Sequence, residues 1–275
     1  MTAFTGNAVT AERYRDHFCG LGYTSELASI DDGAVGLRLR VGRALSAGSA
    51  VVVVAIHAFR AGRLALGLPD EVRIVTVLSG TDMNKYALDG ERAALMRSVI
   101  ARSSAVVALS EPLMTACRAM IGSGPQPPAW RVIPQAVSLE SSATPEAAPR
   151  PAGIWMQDEA CAAVVNCSAA EGLSNAVLEA MALGKAVVAS DIPGNRAALC
   201  HGRTGWLEGS DRGIAERVMM VASRGDAEGV GAAAREEVLS GAFAATVERC
   251  AWAAVLAGAL AVPRPRAAEP EKPPQ

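Results

Sequence analysis

Three apolar runs in the first half of the chain predict buried parallel strands. The runs are rich in Val and Ile and lack the polar alternation of a strand with one face in solvent. A helix-like stretch at residues 90–103 lies between the last two runs. An earlier helix is predicted over residues 10–21, with Thr10 as its N-cap and Gly22 as its stop. The three runs are residues 50–56, 72–78 and 105–109.

The same alternation of strand and helix resumes in the second half. Residues 162–166 and 186–190 read as strands, and residues 175–183 between them read as a helix. That helix begins at Ser174 or at its own first residue, and Gly184 lies just past its end. Repeated strand–helix alternation is typical of a doubly wound α/β fold.

A stretch rich in Pro, Ser and Ala separates the two halves and shows no periodicity. It reads as a linker, and the Pro-, Glu- and Lys-rich C-terminal end reads as a disordered tail. The predicted divisions are an N-terminal domain at 1–137, a linker at 138–153, a C-terminal domain at 154–262 and a tail at 263–275.

Composition narrows the function classes. The 275 residues are 51% hydrophobic and 20% charged, which is ample for a buried core. A net charge of −2 provides no basic field for nucleic acid or for a membrane surface. The six cysteines lack metal-binding spacing and predict reduced thiols in a cytoplasmic protein. No secretory signal opens the chain, and the apolar run 250–262 is too short to span a bilayer.

Polar residues follow each predicted strand at its carboxyl end. Ligands of open parallel sheets bind beyond these ends, so the placement predicts a functional cleft. The positions concerned are His57, Gly80-Thr81-Asp82, Ser110-Glu111, residues 168–175 and residues 191–196.

The densest of these groups is residues 168–181, which read as a strand end, a Gly-containing turn and a helix N-terminus. Free backbone N–H groups and the positive helix end favour a bound phosphate there. Glu171 in the turn could accept hydrogen bonds from sugar hydroxyls, and Glu179 on the helix could bind a ribose diol. Taken singly, the first could equally cap the helix and the second could be a solvated helix residue.

The segment AAEGLSNAVLEAMALGKAVVASDIPGN, residues 169–195, resembles the E-x7-E signature of GT-B glycosyltransferases of family 4. The resemblance continues through HGRTGWL at 201–207. It is looser in TGNAVTA at 5–11, SGTD at 79–82 and VIPQAV at 132–137. The combination is most similar to the glycosyltransferase 1 domain-containing subgroup, with bacterial selenosugar synthases as more distant relatives.

The resemblance implies two Rossmann-like domains facing a cleft, a nucleoside diphosphate sugar as donor and no metal. It implies that Glu179 holds the donor's ribose and that Glu171 lies beside the transferred sugar. His57 and Asp82 would line the acceptor side, so the implied catalytic residues are Glu171, His57 and Asp82. The implied donor-binding residues are Glu179, Gly172, Leu173, Ser174, Asn175, Gly6 and Arg196.

Several of these residues also have ordinary structural explanations. His57 could be structural, and Asp82 could be a turn former that bonds its own backbone. Gly6 could only supply an unusual φ, and Arg196 could be a plain surface residue.

The sequence departs from the family in two respects. Only Met1 to Phe4 precede the first Gly-rich turn, which is too short for the family's first strand. Few residues separate the domain junction from Glu171, whereas each βαβ unit takes about 30 residues or more. The Arg and Lys that clamp the donor diphosphate lie in that stretch of the family. We therefore expect an incomplete C-terminal domain; a truncated gene model, a shortened isoform and a degenerate copy all fit.

Two functions remain open. One is a retaining glycosyltransferase that uses a UDP sugar on an unknown acceptor. The other is a GT-B remnant or shortened isoform that binds a nucleotide weakly or binds a protein partner. An epimerase on the same fold is disfavoured by the E-x7-E pattern. Loss of diphosphate-stabilising groups favours the second function, since removing one such donor costs on the order of 10²–10³ in rate.

Overall fold

The computed structural model describes residues 6–125, 127, 129–137, 156, 158, 161–224 and 227–261. Two parallel sheets organise these residues, which confirms the predicted α/β class. The first sheet has the order β1-β2-β3-β4, and its strands are Val52–Ile56, Arg73–Leu78, Ala105–Ala108 and Trp130–Val132. The second has the order β5-β6-β7, and its strands are Ala163–Asn166, Ala186–Ser190 and Trp206–Glu208. The predicted linker and tail lie outside the described residues.

Burial of the strands follows their place in the sheets. Every residue of β2 and β3 is buried, as the apolar runs predict. The same expectation is wrong for β1, which is mostly half-buried because it lies at the end of its sheet. Strand β5 also ends its sheet, and its Val165 is 46% exposed.

The helices of the first half differ from prediction at the N-terminus. Helix α1 begins at Gly6, so the prediction of Thr10 as N-cap is wrong. Thr10 lies one turn inside the helix, buried, and its hydroxyl donates to Gln135 Oε1 at 3.5 Å. Gly22 has a φ of 87° just past the helix end, as a stop glycine should. The helices are α1 Gly6–Gly20, α2 Gly33–Ser46, α3 Arg63–Ala65, α4 Gly80–Asn84, α5 Gly90–Arg102 and α6 Glu111–Ile121, with 3₁₀ turns at Ile30–Asp32 and Tyr86–Leu88 and a π turn at Ala58–Gly62.

In the second half the predicted helix over 175–183 is confirmed to within one residue. It begins after Ser174, and Gly184 beyond its end has a φ of 71°. The helices here are α7 Asn175–Ala182, α8 Pro193–Arg196, α9 Asp211–Arg224, α10 Ala227–Ser240 and α11 Ala245–Ala261.

Helix α11 returns to the first sheet although the sequence assigned it to the C-terminal domain. It packs against α1, β1 and β2. Trp252 is fully buried, with its ring centroid 4.6 Å from that of Tyr14. On the same helix Glu248 is 1% exposed and accepts hydrogen bonds from Arg13 Nε at 2.9 Å and His17 Nε2 at 2.8 Å. One hydrophobic core cluster accordingly includes residues from both sheets and from this helix.

The stretch Ala227–Ala261 is long and apolar enough, by length and composition alone, to qualify as a membrane span. One such stretch is weak evidence for a membrane span, because core helices of soluble proteins pass the same test; in this stretch 39% of the qualifying window is buried. The stretch is also interrupted, since α10 ends at Ser240 and α11 begins at Ala245.

Candidate functional site

A cleft of about 500 Å³ opens where the carboxyl ends of the first sheet's strands meet the loop after β5. The position is the one expected for a ligand of a parallel sheet. From the first half it is lined by Asn7, Thr10, Ile56, Val77, Leu78, Ser79, Gly80, Thr81, Asn84, Lys85, Leu109 and Gln135. From the second half it is lined by Ala170, Glu171, Gly172, Leu173, Ser174 and Asn175, which we call the signature loop.

The signature loop is hydrogen-bonded to the first sheet through its carbonyl oxygens. Three consecutive carbonyls accept from side chains that follow β2, β3 and β4. In a trans peptide the N–H points opposite to the C=O, so the N–H groups of the same three peptides face away from these donors. The pairs are Asn84 Nδ2 with Glu171 O at 3.5 Å, Ser110 Oγ with Gly172 O at 3.2 Å, and Gln135 Nε2 with Leu173 O at 3.1 Å.

Glycines allow the two halves to touch through their backbones. A Cβ added to Gly172 would lie 2.8 Å from Gly80 Cα, and one added to Gly80 would lie 2.9 Å from Gly172 Cα. Gly194 lies equally close beneath Glu171, where an added Cβ would be 2.7 Å from the Glu171 Cβ. Only glycine permits such an approach without a shift of the backbone.

Helix α7 begins at the cleft. Its N-cap residue Ser174 makes no side-chain cap hydrogen bond; instead its hydroxyl accepts from Asn166 Nδ2 at 3.1 Å. Glu171 is half-buried, and its carboxylate accepts from the Ser168 hydroxyl at 2.8 Å. The arrangement leaves the positive end of α7 beside the cleft, where it favours a bound anion.

Asp82 and His57 lie behind the cleft wall rather than on it. Asp82 is fully buried and accepts the backbone N–H groups of Ala58, Phe59 and Ser79 at 2.9, 3.1 and 3.0 Å. His57 Nδ1 lies 2.6 Å from the same carboxylate. His57 also has a φ of 87°, which is rare for a residue with a side chain. These contacts fix the turn after β1; a role for either residue toward an acceptor stays a prediction.

Several solved structures share the arrangement of two parallel sheets around a cleft. Sucrose-phosphate synthase from Thermosynechococcus elongatus superposes with a TM-score of 0.65 at 14% identity, covering 87% of this chain and 82% of that one. HepE from Anabaena in complex with UDP-glucose gives 0.64 at 15% identity, over 80% and 82% of the two chains. A glycosyltransferase from Rickettsia africae gives 0.64 at 12% identity, over 94% and 96%. The chain has the GT-B fold.

Sequence comparison agrees with this fold and confirms the predicted resemblance. Residues 119–224 match the family of glycosyl transferases group 1. Glycosyltransferase 1 domain-containing protein 1 from Xenopus tropicalis is 56% identical over 45 residues, which is 16% of this chain and 13% of the relative. The match therefore spans about an eighth of the length of that curated relative.

Three predicted site residues, Glu179, Arg196 and Gly6, are not among the residues that line the cleft. Glu179 lies in the second turn of α7, half-buried and outside the described lining. Arg196 is exposed and paired with Asp191, with Nη2 2.7 Å from Oδ2; this hydrogen bond lowers the pKa of Asp191. Gly6 is the first residue of α1, next to Asn7, which does line the cleft.

Two important residues of the cleft escaped the sequence reasoning. Gln135 joins α1 to the signature loop, and Lys85 is the one cation among the described lining residues. Lys85 follows β2 by the same carboxyl-end rule that selected Asp82, and could have been found by it. Among the described residues, no group of three or more His, Cys, Asp or Glu side chains could hold a metal ion.

Proposed function

We propose that the chain binds a nucleoside diphosphate sugar, specifically a UDP sugar, in this cleft and transfers its hexosyl unit to an acceptor with retention of configuration. The supporting observation is the position of the signature loop. Its residues 171–175 and the positive end of α7 border the cleft between the two sheets. The group 1 glycosyl transferase match over 119–224 includes this loop.

The proposed reaction exchanges one bond at the anomeric carbon of the sugar. The bond to the diphosphate oxygen breaks, and a bond to the acceptor's hydroxyl oxygen forms on the same face. The hydroxyl proton passes to the departing diphosphate, so no external base or metal is required. Glu171 would hold sugar hydroxyls, because its carboxylate lies half-buried at the cleft and can accept from them.

Recognition of the nucleotide is assigned to α7 and its surroundings. The diphosphate would meet the N-terminal N–H groups of α7, near Ser174 and Asn175. Glu179, one turn further along, would accept the two ribose hydroxyls. The complex of Anabaena HepE with UDP-glucose, which has the same fold, supports a UDP sugar as the donor.

A second candidate is a GT-B protein that binds a nucleotide without turnover. The observation that favours it is the charge of the cleft. Lys85 alone among the described lining residues is cationic, whereas Glu171 is anionic. A single cation gives limited stabilisation to a departing diphosphate, and each missing donor costs on the order of 10²–10³ in rate.

The deciding experiment follows thermal unfolding with and without UDP. A ligand at about 100 times its dissociation constant adds about 2.7 kcal/mol, which is several degrees for a chain of this size. Glu179→Gln should abolish the shift, because the variant loses the ribose-binding carboxylate. Glu236→Gln is the matched control: this glutamate is exposed on α10, away from the cleft.

Three outcomes separate the candidates. A UDP-dependent shift together with UDP-glucose hydrolysis or transfer supports the enzyme. A shift without any turnover supports the binding protein. Indifference of the folded protein to UDP, or an equal loss of the shift in both glutamate variants, would contradict the proposed donor site.

A further inference from the structure

Four cationic side chains surround two aromatic rings at the end of the first sheet, beside the cleft. The aromatic residues are Phe59, in the turn after β1, and Tyr86, in the 3₁₀ turn after α4. We call the group the cationic cluster; its cations are Arg60, Arg63, Lys85 and Arg92.

The cluster is compact. Three of its cations lie within 6.0 Å of the Tyr86 ring centroid, and two lie near that of Phe59. Stacking on aromatic faces holds each side chain in place while leaving its N–H groups able to donate. Distances to the Tyr86 centroid are 5.0 Å for Arg92, 5.9 Å for Lys85 and 6.0 Å for Arg60; those to the Phe59 centroid are 5.4 Å for Arg63 and 5.5 Å for Arg92.

Most of this positive charge is unneutralised. In the described part of the chain, no carboxylate lies within ion-pair distance of Arg60, Arg63 or Lys85, and all three are exposed. Arg92 has Asp89 at 3.7 Å. The buried Asp82 is occupied by backbone N–H groups. The hydrogen bond from Arg60 and the surrounding cationic charges lower the pKa of Tyr86.

The cluster is also preorganised. Asp82 and His57 fix the turn that carries Arg60 and leads into Arg63. Arg60 Nη2 donates to the Tyr86 hydroxyl at 3.2 Å, which ties that turn to the loop after β2. A rigid set of donors loses little conformational entropy when it binds an anion.

Lys85 belongs both to this cluster and to the cleft lining. We propose that the cationic cluster holds a phosphate group carried by the acceptor, while the acceptor's reacting hydroxyl enters the cleft past Lys85. Arginine forks pair with phosphate oxygens in bidentate fashion, and lysine adds a point charge. The assignment rests on the proposed function, because it names the class of acceptor for that reaction.

The test is a calorimetric titration of the full chain with glycerol phosphate, using glycerol as the uncharged comparison. We expect the chain to bind glycerol phosphate and not to bind glycerol. Added salt should weaken the binding, because it screens exposed charges. The double variant Arg60→Gln/Arg63→Gln should weaken it about tenfold or more, since hydrogen bonds to charged groups contribute about 1.5–3 kcal/mol each. Arg97→Gln, an exposed arginine on α5 outside the cluster, should leave it unchanged.

A parallel titration with UDP separates this inference from the donor site. If UDP binds the double variant normally and glycerol phosphate no longer does, the inference is supported. Equal binding of glycerol phosphate by wild type and double variant, or equal loss in Arg97→Gln, overturns it.

A second experiment measures binding to phosphatidylcholine vesicles with and without phosphatidylglycerol. The chain could bind the anionic vesicles through the cluster and fail to bind glycerol phosphate. That result would contradict a soluble phosphorylated acceptor and would indicate that the phosphate belongs to a lipid headgroup.

Discussion

Replacing Glu248 by glutamine should destabilise the folded chain more than any other single carboxylate change discussed for this protein. The side chain is fully buried and accepts three hydrogen bonds, from Arg13 Nε at 2.9 Å, Arg13 Nη2 at 3.3 Å and His17 Nε2 at 2.8 Å. The Arg13 side chain is itself only 9% exposed. Removing the charge therefore leaves a buried guanidinium without its counter-ion.

Breaking a buried ion pair from one side costs about 3–5 kcal/mol, because the remaining charge is desolvated without compensation. For a chain of this size, that corresponds to a fall of roughly 10 °C in melting temperature. The assay is urea and thermal unfolding followed by circular dichroism. Glu237→Gln is the matched control, since it removes an exposed pair with Arg203 at 2.9 Å; surface pairs contribute about 0–1 kcal/mol.

The same substitution predicts a change in acid stability. Burial raises the pKa of Glu248, but the hydrogen bonds from His17 and Arg13 and the charge of Arg13 outweigh it and hold the pKa below its ordinary value of 4.5. A group whose pKa is lowered on folding contributes stability above its unfolded pKa and loses it as pH falls through the folded value. The difference in unfolding free energy between the wild type and Glu248→Gln should therefore decrease as the pH falls below 4.5. A Glu248→Gln variant no less stable than Glu237→Gln would refute the reasoning.

Two further predictions concern thiol reactivity and the contact between the halves. Burial raises the pKa of the Cys117 thiol to about 12, so iodoacetamide should label the exposed Cys200 of the folded protein and spare Cys117; equal labelling by mass spectrometry would contradict this. Gly172→Ala should cost about 1–3 kcal/mol in urea unfolding, because the new methyl group meets the Gly80 backbone. Gly209→Ala, with no atom within 4 Å of its added Cβ, is the control; equal stability of the two variants would disprove the close approach.

The sequence predicted the strands and the site best where a residue's environment follows from its neighbours in the chain. Both ends of strand β6 were predicted to the residue, because the apolar run is bounded on each side by glycine or polar residues. The placement of the signature loop beside the cleft followed from the rule that parallel strands present their carboxyl ends together. The sequence shows Gly172 in this loop and Gly194 in α8, but it does not show which backbones these glycines approach.

Tertiary contacts account for what the sequence did not reveal. From the sequence, Asp82 could line a cleft or stabilise a turn. In the structure it accepts backbone N–H groups of the turn after His57, whose positive φ a side-chain pattern does not encode. Thr10 looked like a helix cap because its hydroxyl suits that role. The structure instead buries it against Gln135, so helix α1 continues toward Gly6. The apolar run 250–262 lies largely in α11, but the run alone does not show which sheet the helix packs against.

The return of α11 to the first sheet has a consequence for synthesis of the chain on the ribosome. Arg13 leaves the exit tunnel 235 residues before its partner Glu248, and Tyr14 likewise precedes Trp252. Until then the emerging N-terminal half exposes an aromatic surface and an unpaired cation. We therefore expect the nascent chain to need protection from aggregation until α11 has left the tunnel, even though all four strands of its first sheet are made long before that helix.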